Sequence, residues 1–213
     1  VGMIRALYGL QSSVLWAHFF DHLGFRLVLT PPTNEQISRI GIETMAAETC
    51  YPMKVSHGHA KTLMGKTSYL FLPTLIDMAT PKPSERGYYC PMVQSSSFMI
   101  RSALGIPGSD LLSPTLNLKS DPEIIALDLY KQLAGKLGWK RGQVKAAFQY
   151  ALQRQEQFET ELHRRGREFL MTLLPEEPLV VVTGRAYNLH DERLNLRLGQ
   201  NLAKLGVSAL PMD

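Results

Sequence analysis

Gly2-Met3-Ile4-Arg5-Ala6-Leu7 turns at Tyr8-Gly9 into a helical stretch over about Ser12 to Leu23, then passes through Gly24 into Phe25-Arg26-Leu27-Val28-Leu29. The order is strand, turn, helix, glycine, strand. It returns near the other end of the chain as Leu179-Val180-Val181-Val182-Thr183, a turn at Gly184, a helix over about Leu194 to Leu205, Gly206, and Val207-Ser208-Ala209-Leu210-Pro211. In both copies a Leu-Gly step closes the helix, where the residue after the last turn must adopt a left-handed conformation. In both copies the strands are continuous apolar runs, as expected of parallel strands covered on both faces. Each copy is therefore a βαβ unit. The expected fold is α/β, with two Rossmann-like or flavodoxin-like lobes of parallel sheet joined by a long helix. The competing explanation is coincidence, since this order of elements is common to all α/β proteins.

A third unit lies between them. Ile37 to Ile42 reads as a turn or short helix ending at Gly41, Met53 to Met64 as a helix after the Cys50-Tyr51-Pro52 turn, and Tyr69-Leu70-Phe71-Leu72 as a buried strand. From Pro73 to Arg86 the composition turns to Thr, Pro, Ser and Lys. That marks a loop at a strand's carboxyl end, where open α/β sheets place their ligands. Val93 to Leu104 reads as a helix, and Gly105 to Pro122 as a crossover rich in Pro, Gly and Ser. Asp121-Pro122-Glu123 combines a capping acid, Pro at the first helical position and an acid in the first turn. Helices follow over about Glu123 to Leu137 and Arg141 to Leu174, the second unusually long. Phe148, Leu152, Gln155, Phe158 and Leu162 share one of its faces, a stripe that reads as packing. The expected divisions are 1–110 for a first lobe carrying both cysteines, 111–175 for a helical crossover, and 176–213 for the start of a second lobe, truncated at its end. With no initiator Met and a stop straight after a strand, the sequence reads as a piece of a longer protein.

The 213 residues are 45% hydrophobic and 20% charged, an ordinary globular balance with enough apolar mass for one large domain or two small lobes. The formal charge is +4, and the basic residues are dispersed except at Lys140-Arg141 and His163-Arg164-Arg165-Gly166-Arg167. A nucleic-acid footprint would need a basic stripe interleaved with aromatic or base-reading groups, so none is expected. No run approaches the roughly 18 to 20 apolar residues of a membrane span, and the opening strand is unlike a signal peptide. A cytoplasmic protein is expected. A Gly-x-x-x-x-Gly-Lys-Ser/Thr loop is absent from the sequence.

The two cysteines stand beside prolines in similar settings, Glu48-Thr49-Cys50-Tyr51-Pro52 and Tyr88-Tyr89-Cys90-Pro91. A Cys that opens a turn presents its sulfur outward, and the following Pro fixes φ and removes a competing donor. Such steps recur at iron–sulfur clusters, although two thiolates do not complete a four-iron cluster. The alternatives are small buried hydrophobes or a redox thiol pair without the Cys-x-x-Cys spacing.

Several segments resemble the 2-hydroxyacyl-CoA dehydratase and benzoyl-CoA reductase superfamily, in particular the dehydratase-like region of CoA-substrate-specific enzyme activases, the activators of (R)-2-hydroxyglutaryl-CoA dehydratase. The matching stretches are Gly2 to Leu7, Phe19-Phe20-Asp21-His22-Leu23-Gly24-Phe25, Glu48-Thr49-Cys50-Tyr51-Pro52-Met53-Lys54-Val55-Ser56-His57-Gly58-His59, Cys90-Pro91-Met92-Val93-Gln94 and Gly184-Arg185-Ala186-Tyr187-Asn188. The resemblance implies an oxygen-sensitive system in which ATP hydrolysis drives an electron onto a low-potential iron–sulfur protein. It implies Cys50 and Cys90 as ligands of a 4Fe-4S cluster whose ligand set is incomplete in this chain. Some relatives carry a further Cys after the Tyr69 to Pro73 strand, where this chain has Thr74. The implied partners are an ATPase domain of the same longer protein or of a partner chain, and a dehydratase-type acceptor protein. An acyl-CoA and a second copy of the chain are further candidates.

Arg5 and Arg185 follow the first strand of each repeat and are candidates for holding a phosphate, a CoA pyrophosphate or a carboxylate. The alternative is a salt bridge across the lobes to Glu43, Glu48 or Asp191. Tyr8, Gln11, Tyr187 and Asn188 are candidate polar groups of the same cleft. Lys54, His57 and His59 could tune a cluster's charge or donate to an acyl-CoA carbonyl. The alternative is a packed histidine and a solvated lysine, and two histidines at i and i+2 do not share a helix face. Two rival functions stay open: a cluster-free docking module, and a domain that binds CoA or a nucleotide between its lobes.

Overall fold

The alternating apolar runs produce short parallel strands with helices on both faces. The structure, a computed structural model, describes residues 1–45, 47–78, 80, 87–174 and 176–212. Its elements are β1 (Gly2–Met3), α1 (Tyr8–Gln11), α2 (Ser13–His22), β2 (Val28–Leu29), α3 (Glu35–Thr44), α4 (Tyr51–Leu63), β3 (Leu70–Phe71), β4 (Thr74–Leu75), α5 (Pro91–Leu104), β5 (Leu111–Leu112) and β6 (Thr115–Leu116). They continue with α6 (Pro122–Leu137), α7 (Arg141–Thr172), β7 (Leu179–Val182), α8 (Ala186–His190), α9 (Leu198–Lys204) and β8 (Ser208–Pro211).

The main sheet has the order β2-β1-β3-β5, all parallel. This is the flavodoxin-like order, whose direction of winding reverses between β1 and β3. Leu70 pairs with Leu111 and Thr74 with Thr115, the same register on both sides of Pro73. The β4–β6 pair therefore extends β3 and β5. Side chains alternate between two cores. Met3, Phe71 and Leu112 face Trp16, Phe19, Phe20 and Phe148 under α2, α6 and α7. Ile4, Leu70, Leu72 and Leu111 face Ala60, Leu63 and Ile100 of α4 and α5. Trp16 meets the Phe71 ring at 4.7 Å between centroids, which ties α2 to the central strand.

The second repeat is a parallel pair, β7 with β8, in register from Leu179 and Ser208 to Val182 and Pro211. Gly24 and Gly206, after the helices of the two repeats, have φ of 80° and 73°, the left-handed closure expected of both Leu-Gly steps.

Four expectations change. The helix expected to end at Gly41 runs on to Thr44, because Gly41 lies where α3 crosses α4 and an added Cβ would sit 2.0 Å from the Lys54 carbonyl oxygen. Gly58 is its counterpart on α4, 1.9 Å from the Ile37 carbonyl by the same construction. The crossover from Gly105 to Pro122 supplies β5 and β6, whose two-residue ladders are too short to show alternation. The loop expected from Pro73 continues the sheet as β4 and then bridges Asp77 to Tyr88, while residues 79 and 81–86 lie outside the described residues. The helix expected over about Leu194 to Leu205 is the shorter α9, and an additional helix, α8, forms ahead of it after Gly184.

Asp121 caps α6 as expected, accepting the Glu123 amide at 2.7 Å. The long helix α7 has 32 residues, about 48 Å at 1.5 Å per residue. Its first half packs on α2 and α6 through Val144, Ala147, Phe148 and Ala151. None of the described helices is long and apolar enough to cross a membrane.

Candidate functional site

Both cysteines are N-caps. Cys50 precedes α4 with Pro52 in its first turn, and Cys90 precedes α5, which starts at Pro91. With ψ of 150° and 137°, neither residue's side chain makes a capping hydrogen bond, while each carbonyl starts its helical ladder. Both thiols are free, Cys50 exposed and Cys90 partly buried. The hydroxyl of Thr49 lies 3.7 Å from the Met92 sulfur, so the two turns meet across neighbouring residues. A helix N-terminus carries positive partial charge and favours an anion there.

The third member of this cluster is Tyr187 on α8. Burial raises its phenol, Arg185 opposes that rise, and Cys90 and Cys50 add to it. Tyr187 thus lies within electrostatic range of both thiols and of the Arg185 guanidinium. Tyr89, beside Cys90, is raised mainly by burial, with Tyr8 adding and Arg185 opposing. It meets Tyr8 edge-on, with ring centroids 5.6 Å apart. Tyr8 is buried, and burial pushes its phenol up to about 12 against the lowering influence of the neighbouring Ser12 and Trp16 side chains. These groups follow β1 and β4, on either side of the point where the winding reverses.

The expected ligand groups fare differently. Lys54 is paired with Glu48 at 2.8 Å. His57 is buried in α4, its Nδ1–H donating to the Met53 carbonyl at 2.8 Å, and burial lowers its pKa. It is a core histidine, removed from solvent. Arg5 and Arg185 do not share a site: Arg5 lines a separate cleft, whereas Arg185 faces the tyrosines. Among the described residues neither arginine forms the lobe-bridging salt link to Glu43, Glu48 or Asp191. Thr74, where some relatives carry Cys, is buried in β4 with its hydroxyl 2.7 Å from that of Ser97.

The lobes are joined instead by a hydrogen-bond chain through His59. Thr33 Oγ1–H donates to the Asp191 carboxylate, so its oxygen accepts from His59 Nε2–H, 2.9 Å away. The neutral ring then accepts at Nδ1 from Thr30 Oγ1–H at 2.7 Å, and Thr30 accepts the Arg5 amide at 2.7 Å. Every proton in the chain has one direction. Burial lowers His59 to about 4, with Asp191 raising it and Arg5 lowering it. The second Asp191 oxygen accepts the amides of Arg193 and Leu194, fixing the turn after α8. The sequence offered no signal for this chain, because Thr30 and Thr33 belong to no motif.

The donor set can be tested against an iron–sulfur cluster. Cys50 and Cys90 supply half of a four-thiolate set, and no group of three or more His, Cys, Asp or Glu residues able to hold a metal occurs among the described residues. The residues fit the edge of a cluster and leave its remaining ligands to groups outside this set.

A family model described as the CoA enzyme activase uncharacterised domain matches residues 1–213. Neither the search of curated proteins nor that of solved structures returns a match. With its whole length matched, the chain belongs to the CoA enzyme activase uncharacterised domain family.

Proposed function

We propose that this domain is an electron-relay element of an activase, with Cys50 and Cys90 as two thiolate ligands of an iron–sulfur cluster completed from another polypeptide segment. The observation that carries it is a pair of free thiols, each at a helix N-terminus, whose turns touch through Thr49 and Met92 and which both act electrostatically on Tyr187 together with Arg185. Such a cluster would supply a single low-potential electron. The residues of this chain hold the thiolates: the N-terminal ends of α4 and α5 stabilise their charge, Arg185 adds a cation, and Tyr89 and Tyr187 restrict water on one side. ATP hydrolysis would lie in a separate domain and the electron would pass to a dehydratase-type acceptor.

The test is iron and sulfide content with a visible spectrum on protein purified and reconstituted without oxygen. The expected outcome is broad absorption near 400 nm that Cys50→Ser and Cys90→Ser each abolish or deplete, by roughly the loss of one ligand in four. Colourless protein after reconstitution, including in the presence of the ATPase domain, sinks the relay and leaves a docking role.

A further inference from the structure

A second cleft, separate from the cysteines, opens between the lobes with a volume of about 570 Å³, within the range of small-molecule sites. One wall is the outer half of the α7 stripe. Phe148 at its inner end is buried, but Phe158 and Leu162 are 44% and 39% exposed and line the cleft with Leu10 and Leu29. The stripe that reads as packing throughout is packing only as far as Gln155, whose side chain holds the start of α2 through the Leu15 amide at 3.1 Å. Beyond that point it presents apolar surface to a recess. The lining also includes Arg5, His190 of α8 and, next to Leu162 on α7 itself, His163. Among the described residues the Arg5 guanidinium has no ion pair, while its backbone amide is committed to Thr30.

An apolar wall sharing a cleft with a planar cation that has no ion pair among the described residues favours one shape of ligand: an apolar body ending in a carboxylate, which a guanidinium can take in two parallel hydrogen bonds. A nucleotide fits less well. Polyphosphate needs several convergent donors or a glycine-rich backbone cradle, and this cleft offers a single arginine with the Glu159 carboxylate nearby. We infer that the cleft bounded by Arg5, Phe158, Leu162 and His190 binds a small amphipathic carboxylate, an alkyl or aryl acid. The site does not rest on the cysteines. It touches them through α8, whose Ala186 and His190, one turn apart on one face, line the cleft while Tyr187 faces the thiols.

Octanoate is the probe, with octanamide as its uncharged counterpart and ATP as the polyphosphate control, each followed by calorimetric titration or ligand-observed NMR. Octanoate is expected to bind in the micromolar to millimolar range and octanamide roughly tenfold more weakly, the effect of a charge-assisted hydrogen bond. Arg5→Ala should remove that tenfold preference and leave octanamide unchanged. The main-chain amide that serves Thr30 survives this substitution, and an unchanged melting temperature confirms an intact fold. Phe158→Ala should weaken both ligands alike. Equal binding of octanoate and octanamide, ATP displacing octanoate from the wild-type protein, no octanoate binding at millimolar concentration, or an Arg5→Ala variant that keeps its preference would each overturn the assignment.

Discussion

His59 is a buried ring whose charge state the fold has already chosen. Its pKa falls from an ordinary 6.5 to about 4 through burial, and both ring nitrogens are used by threonines in a pattern that needs the neutral form. The unfolded chain therefore binds a proton that the folded chain refuses between about pH 6.5 and pH 4. Stability from this group is fully present above the unfolded value and is lost as pH falls toward the folded one. The lowered pKa of His57 acts with the same sign. Urea unfolding at pH 7 and pH 4.5 should show a loss of roughly 2 to 3 kcal/mol attributable to His59, at 1.36 kcal/mol per unit. His59→Gln should be less stable at pH 7 and lose correspondingly less on acidification; a variant with an unchanged pH slope contradicts the assignment. At this scale the sequence revealed the cysteine turns, because the Cys-Pro step is a local pattern. It did not reveal that His57 is buried and Lys54 paired with Glu48, since a helix position two or three residues along does not tell which side the core will cover.

At the scale of elements, the crossing of α3 on α4 depends on two absent side chains. Backbone carbonyls of Ile37 and Lys54 occupy the space that Cβ atoms at Gly58 and Gly41 would need. Gly58→Ala should therefore cost about 2 to 3 kcal/mol, the overpacking of a close-packed contact. Gly166, in the exposed half of α7, has open space around its Cα. Gly166→Ala should stabilise by about 0.5 to 1 kcal/mol through helix propensity. Denaturant midpoints of the two variants check both signs, and a neutral Gly58→Ala would mean that the helices can part without loss. Gly41 explains why α3 runs past its expected end: Gly in a helical pattern looks like a stop until its close neighbour is known. β1, α2, β2, β7 and β8 were legible because their apolar runs and closing glycines are local. β5 and β6 were not, because a ladder of two residues is specified by its parallel neighbour β3 or β4 rather than by its own pattern.

For the whole molecule, the question is what holds the second repeat to the first, since β7 and β8 contain no buried residue of their own. A two-stranded pair is marginal in isolation. Asp191 answers it, accepting Thr33 from the first lobe with one oxygen and two amides of its own turn with the other. It thereby positions α8, the helix that carries Tyr187 toward the cysteines and His190 toward the cleft. Losing a buried charge-assisted acceptor costs about 1 to 3 kcal/mol, and each 1.4 kcal/mol is tenfold in an opening equilibrium. Asp191→Ala should thus speed hydrogen exchange of α8 amides by roughly tenfold to a hundredfold, while the amides of α4 and β3 in the first lobe stay protected. Thr33→Val should give a smaller effect of the same kind, because Asp191 keeps its bonds to Arg193 and Leu194. Equal acceleration in both lobes would show that Asp191 supports the whole fold. No acceleration would place the cohesion elsewhere, in the packing of α1 against α8. Exchange confined to α8 would make the two sites separable from the sheet that supports them, with one short helix presenting a face to each.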